Sequence, residues 1–178
     1  AVGEEGDGGK ERSAAERLWR FSLALYARPG VEAACLDLQD RRGLDVNMLL
    51  WCCWRAVEGH ALAGAEIAAA EGGIAGWQVS VIGPLRALRR RLKGGAGGPS
   101  ATFVAELRRD VKAAELEAER IAQTALAAAP AGRPAAAPPG ALARRNLEAY
   151  ARLHGAAEEA ADRTSLAALV EACAAATR

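Results

Sequence analysis

Apolar residues recur along this chain at helical spacing, and no β-rich run interrupts them. The pattern first becomes dense after Ser13-Ala14-Ala15-Glu16, which reads as a capping box with Ser13 at the N-cap and Glu16 at N3. A helix is predicted from Ala14 to about Ala27. Its Leu18, Trp19, Phe21, Leu23, Leu25 and Tyr26 cover most of the circumference, as in a helix central to a bundle. Arg28-Pro29-Gly30 ends it. A second helix is predicted from about Val31 to Arg42, with Val31, Cys35 and Leu38 on one face and Glu32, Asp37, Asp40 and Arg41 largely off it. Gly43 is placed to stop that helix, and Asp45 to cap the next. The third helix, Val46 to about Glu58, carries seven consecutive apolar residues, Met48 to Trp54, which require burial from several sides.

Beyond Gly59 the pattern weakens. Ala61 to Glu71 predicts a short, Ala-rich fourth helix broken by Gly72-Gly73. A fifth, Ile74 to Lys93, has a stripe of Trp77, Val81, Leu85, Leu88 and Leu92. Pro84 falls inside it and must kink or divide it, because proline removes one ladder hydrogen bond. Gly94 to Pro99 is a loop. The sixth and longest helix starts at Ser100 or Thr102 and reaches about Ala129. Its predicted seam is Phe103, Leu107, Val111, Ala114, Ala118, Ile121 and Ala125, with Glu106/Arg109 and Glu117/Arg120 as i,i+3 pairs. Two further helices are predicted, one sharing Leu142, Asn146, Tyr150 and Leu153, the other Leu166, Leu169, Val170 and Cys173. Docking of this pair on the bundle and a loose tail both remain open. The expected organisation is a disordered tail over 1–12, a helical domain over 13–129, a Pro/Ala linker over 130–140 and accessory helices over 141–178. The fold class is all-α, an irregular bundle of about six helices plus a C-terminal helical pair.

Composition supports helix. Of the 178 residues, 51% are hydrophobic, 45 are Ala and only 4% are aromatic. Ala and Leu lose little on entering a helix, while strands favour β-branched and aromatic residues. The formal charge of +1 excludes a globally basic nucleic-acid binder, though not a local patch. No apolar run approaches the ~18 residues of a membrane span. The polar, acidic opening AVGEEGDGGKERS reads as no secretory signal. Four Cys without a repeating spacing make no disulfide scaffold, so a reduced, cytoplasmic setting is expected. Arg outnumbers Lys by 20 to 3. With abundant Ala and Gly this points to codon composition and weakens each Arg cluster as a sign of phosphate binding.

The candidate chemistry is sparse. Cys52-Cys53 lack ligand-spaced partners, since the chain's His60 and His154 lie far apart. Core thiols are therefore expected, with no metal and no cofactor. Ser22 and Ser80 fall within predicted helices, and no nucleophile elbow or phosphate loop is present. The basic run Arg86, Arg89, Arg90, Arg91, Lys93 is the strongest local charge feature. Arg86, Arg90 and Lys93 share a helical face that would either meet RNA or another polyanion, or stand solvated and ion-paired within the protein. Gln39, Asp40, Asp45 and Asn47 cluster where the second helix turns into the third, and Tyr26, Arg20 and Arg28 of the first would join them if the junction folds over it. Two readings of this junction stand: cap and turn chemistry, or a binding site.

The stretch LWRFSLALYARPGVEAACLDLQDRRGLDVNMLLWCCW (18–54) resembles an uncharacterised bacterial family, the domain of unknown function 2390. The segment holding Trp77, Val81, Pro84, Leu85, Arg86, Arg89, Arg90, Leu92 and Lys93 is similar to it too, as is Glu115-Leu116-Glu117-Ala118-Glu119-Arg120. The resemblance covers about residues 14–125. It implies a cytoplasmic helical protein and supplies no reaction. The leading expectation is therefore a non-enzymatic interaction or adaptor protein that binds a protein partner, or a second copy, through a helical face. Polyanion binding at Arg86, Arg89, Arg90 and Lys93 is one alternative. A small ligand or a reaction at Tyr26, Gln39, Asp40, Asp45 and Asn47 is the other.

Overall fold

A computed structural model describes residues 5–94 and 100–176. These contain eight α-helical segments: α1 Glu5–Tyr26, α2 Val31–Arg42, α3 Val46–Val57, α4 Gly64–Trp77, α5 Gly83–Lys93, α6 Ala101–Ala128, α7 Pro139–Leu153 and α8 Ala160–Ala176. A π-helical segment, Gln78–Ile82, joins α4 to α5 in one continuous rod. The two-residue strands β1 (His60–Ala61) and β2 (Arg133–Pro134) pair antiparallel, His60 opposite Pro134 and Ala61 opposite Arg133. The protein is all-α with bundle-like packing. No helix among the described residues is long and apolar enough to cross a membrane.

The centre of the bundle is α3 rather than α1. Every residue from Asn47 to Ala56 is buried, and α1, α2, α6, α7 and α8 all pack on it. By contrast, α1 buries Leu18, Ser22 and Leu25 against its neighbours and leaves Leu23 about half exposed. Arg55 is buried because its guanidinium lies over Trp54, 4.6 Å from the ring centre, and donates to Ala127 O and Ala129 O. It thereby answers free carbonyls at the end of α6.

Local signals set most helix ends. Gly43 takes φ +68 and ends α2, and Asp45 caps α3 by accepting from Met48 N at 3.1 Å. At Pro84 the α-helical ladder is interrupted but the rod is not: the backbone widens into the π segment, whose last bond runs from Gly83 N to Gln78 O, and α5 resumes beyond it.

Elsewhere the structure departs from expectation. Residues 1–4 lie outside the described residues, but α1 is helical from Glu5. Ser13 is therefore inside the helix, its hydroxyl taking a bond from Arg17 instead of capping. Extending an existing helix is cheap once nucleated. Gly72-Gly73 do not break α4, which also starts at Gly64 because His60-Ala61 is held in the β1–β2 pair. The buried seam of α6 is Val111, Glu115, Ala118, Ala122 and Leu126, while Phe103, Leu107 and Ile121 stay exposed. The Gly94–Pro99 loop lies beyond the described residues from Gly95 onward.

Of the two places open to the C-terminal pair, it takes the docked one. Tyr150, Asn146, Leu147 and Cys173 have no exposed surface, and α7 lies against α3 with α8 against α2. Asn146 Oδ1 accepts from Leu62 N at 2.9 Å, and its Nδ2 donates to Cys52 O and His60 O. Asp162 of α8 holds Arg41 at 2.7 Å and Arg42 at 2.9 Å, and Ser165 donates to Asp37.

Candidate functional site

Five helices leave a cleft of about 500 Å³ between them. From α1, Trp19, Ser22, Leu23 and Tyr26 enter at spacings of three and four, which puts all of them on one helical face. From α2 come Glu32, Leu36 and Gln39, and from the first turn of α3 come Val46, Asn47 and Leu50. Arg86, Arg89 and Arg90 of α5 face Lys112, Glu115, Leu116, Glu119 and Gln123 of α6 across the remaining side. The lining mixes apolar side chains with charged and uncharged polar ones, in a volume within the range of small-molecule sites.

The α5–α6 wall is an ion-pair ladder. Arg86 donates to Glu115 at 3.2 Å and to Glu119 at 3.0 Å, and Arg89 grips both oxygens of Glu115. Glu115 is buried, which pushes its carboxyl up, but Arg89 and Arg86 outweigh burial and hold it below the usual carboxylate range. Glu119 goes the other way, because burial exceeds the pull of Arg86. Burial, reinforced by Glu32, pushes the Tyr26 phenol up to about 12, so at neutral pH it carries its proton and can donate.

The floor holds unmet hydrogen-bonding capacity. Ser22 is 3% exposed and Gln123 is 2% exposed. The Ser22 hydroxyl has no partner, and neither has Gln123 Oε1, although Gln123 Nε2 donates to Asn47 Oδ1 at 3.0 Å. Turning the Gln123 amide over would exchange its O and N and still leave one of its polar atoms unpaired. Buried polar atoms without partners are uncommon, and of the eight among the described residues these two belong to the cleft lining.

The two candidate sites expected from sequence therefore meet in one place, though not with all their members. Tyr26, Gln39 and Asn47 line the cleft. Asp45 does not: its carboxylate caps α3, and its own N–H donates to the Tyr150 hydroxyl at 3.0 Å. Asp40 stands in solvent, 3.8 Å from Arg90. Arg86, Arg89 and Arg90 line the cleft, the first two engaged with glutamates, while Lys93 is exposed at the end of α5. Trp19, Ser22, Lys112, Leu116 and Gln123 were missed. Ser22 carried a usable signal, since it is a lone uncharged polar residue among the apolar positions of its helix.

A sequence model of the family described as "Protein of unknown function (DUF2390)" matches residues 17–126. That is 110 of the 178 residues. The chain belongs to this family. No curated protein and no solved structure matches it. In this DUF2390 chain the matched segment contains every residue that lines the cleft, from Trp19 to Gln123, and ends before α7 and α8.

Proposed function

We propose that this DUF2390 protein is a non-enzymatic binding protein whose site is the cleft between α1, α2, α3, α5 and α6, and that it takes a small organic ligand there. The observation that carries this is the pair of buried, unpartnered polar groups, Ser22 Oγ and Gln123 Oε1, on the floor of a cavity of ligand size. The same cavity favours the binding-site reading of the junction for Tyr26, Gln39 and Asn47, and the cap reading for Asp45. A reducing, cytoplasmic setting belongs to this reading, supported by four free and buried thiols. The neutral fluorophore N-phenyl-1-naphthylamine tests it. One molecule is expected to bind per chain, and Ser22→Trp, which puts an indole into the cavity, is expected to abolish binding. Binding that survives Ser22→Trp in a folded variant overturns the reading.

A second reading, that a protein partner or a second copy docks on the bundle, is favoured by the exposed apolar start of α6. Phe103 is 70% exposed and Leu107 is 50% exposed on one face of that helix. Light scattering of wild type and Phe103→Asp tests the second-copy form. A dimer that the substitution converts to monomer supports it, and a wild-type monomer rules it out. Polyanion binding by α5 has less support, because Arg86 and Arg89 are held by Glu115 and Glu119.

A further inference from the structure

We propose that the cleft's ligand is a small organic anion with an apolar body, its negative group seated at Arg89, Arg90 and Lys112. This deepens the cleft reading and rests on it.

The charge pattern along the α5–α6 wall carries the inference. Arg86 reaches Glu119 and Arg89 reaches Glu115, so the two helices run antiparallel and in register. Lys112 sits one turn from Glu115, away from Glu119, which in this register sets it opposite the turn after Arg89, and it lines the same cleft as Arg89 and Arg90. At that end three cations meet one wall carboxylate, Glu115, which Arg89 already holds. Lys112 makes no ion pair among the described residues, and Arg90 has only Asp40 at 3.8 Å, with both side chains more than 60% exposed. Arg89 uses Nε and one terminal nitrogen on Glu115, which fixes the guanidinium and leaves its other terminal nitrogen free to donate. A guanidinium already held in place loses little freedom on binding. Leu23, Leu36 and Leu116 offer apolar wall in the same cleft, and Ser22 and Gln123 add buried polar groups to its lining. The complement is an apolar molecule, anionic at one end and able to hydrogen-bond.

The test compares two probes of the same body. The sulfonate 8-anilinonaphthalene-1-sulfonate carries the charge that N-phenyl-1-naphthylamine lacks. Wild type is expected to bind the sulfonate about tenfold more tightly, with the advantage shrinking as salt rises. Arg90→Ala and Lys112→Ala should each remove about two- to fivefold of that advantage, read as the ratio of the two probes' affinities in the same variant. Equal affinity for the two probes, or an advantage that survives the double variant, overturns the anion proposal. In that event the cleft reading still stands if Ser22→Trp blocks the neutral probe. Binding of both probes to Ser22→Trp overturns both.

Discussion

Asn146 ties three parts of the chain together, and its removal gives a prediction whose size follows from the structure. The side chain has no exposed surface. Its oxygen accepts from Leu62 N, and its nitrogen donates to Cys52 O and His60 O, so α7 is bound to the loop after α3 and to α3 itself. In Asn146→Ala, Cys52 O keeps its helical partner four residues on. Leu62 N, buried with its residue, loses its partner outright, which costs about 1–3 kcal/mol. The bond to His60 O and the small cavity add about 1 kcal/mol each. The expected loss is about 3–5 kcal/mol, or a fall in Tm of roughly 6–20 °C for a chain of this length. Urea unfolding followed by tryptophan fluorescence measures it, and the midpoint should move with an unchanged m-value. Asn146→Asp separates hydrogen bonding from packing. It keeps the acceptor for Leu62 but sets a carboxylate against two carbonyls, so it should destabilise at neutral pH and partly recover on acidification, when the protonated acid can donate once more. Glu148→Ala, two residues away in an exposed pair with Arg152, should change stability by less than about 0.5 kcal/mol. A loss below about 1 kcal/mol in Asn146→Ala would refute the reasoning.

Gly132 has φ +84, and a Cβ there would lie 2.6 Å from Ala61 O, so Gly132→Ala should cost about 2 kcal/mol or more by disrupting the β1–β2 pair. Gly30→Ala, at φ +83 with open space around it, should cost only about 1 kcal/mol, and equal losses in the same urea assay would contradict the steric account. Burial is the largest cause raising both of the chain's tyrosines, Tyr26 to about 12, so absorbance at 295 nm should show neither ionising near pH 10. A raised folded value means stability that is complete below about pH 10 and lost as pH climbs towards 12, and one tyrosine titrating near 10 in the folded protein would exclude this. Asp37 is depressed first by the bond from Arg41, and Asp162 first by the bond from Arg42. Their contribution is therefore full above the ordinary carboxylate range and lost as pH falls through their lower folded values. Asp162→Asn should flatten the acid limb of a stability–pH curve, and an unchanged limb would count against the ion-pair account.

Where a feature depended on neighbours in sequence, the sequence displayed it. Val31–Arg42 was legible to the residue because Gly43 and Asp45 act within one turn of where they stand. The burial of Met48–Trp54 was legible because seven apolar residues leave a helix no face for water. What depended on distant partners was hidden. The α6 seam passes through Glu115, which no apolar pattern would choose, because Arg86 and Arg89 lie 29 and 26 residues earlier and make its burial tolerable. The cleft showed the same division. Tyr26, Gln39 and Asn47 stood out near one junction, whereas Lys112, Leu116 and Gln123 reach it only through the packing of α6 on α1. Asp45 was right as a cap and for that reason unavailable as a site residue.

The central place of α3 has a consequence for the order of events at the ribosome. Its last residue is Val57, while α7, which covers it, begins at Pro139, about 80 residues later. At about 5–20 residues per second of synthesis, that interval lasts roughly 4–16 s. Throughout it the helix that ends most deeply buried is in the cell without one of its covers. The nascent chain is then at its stickiest well before it is complete, and its yield depends on translation speed and on holdase chaperones more than its final stability would suggest.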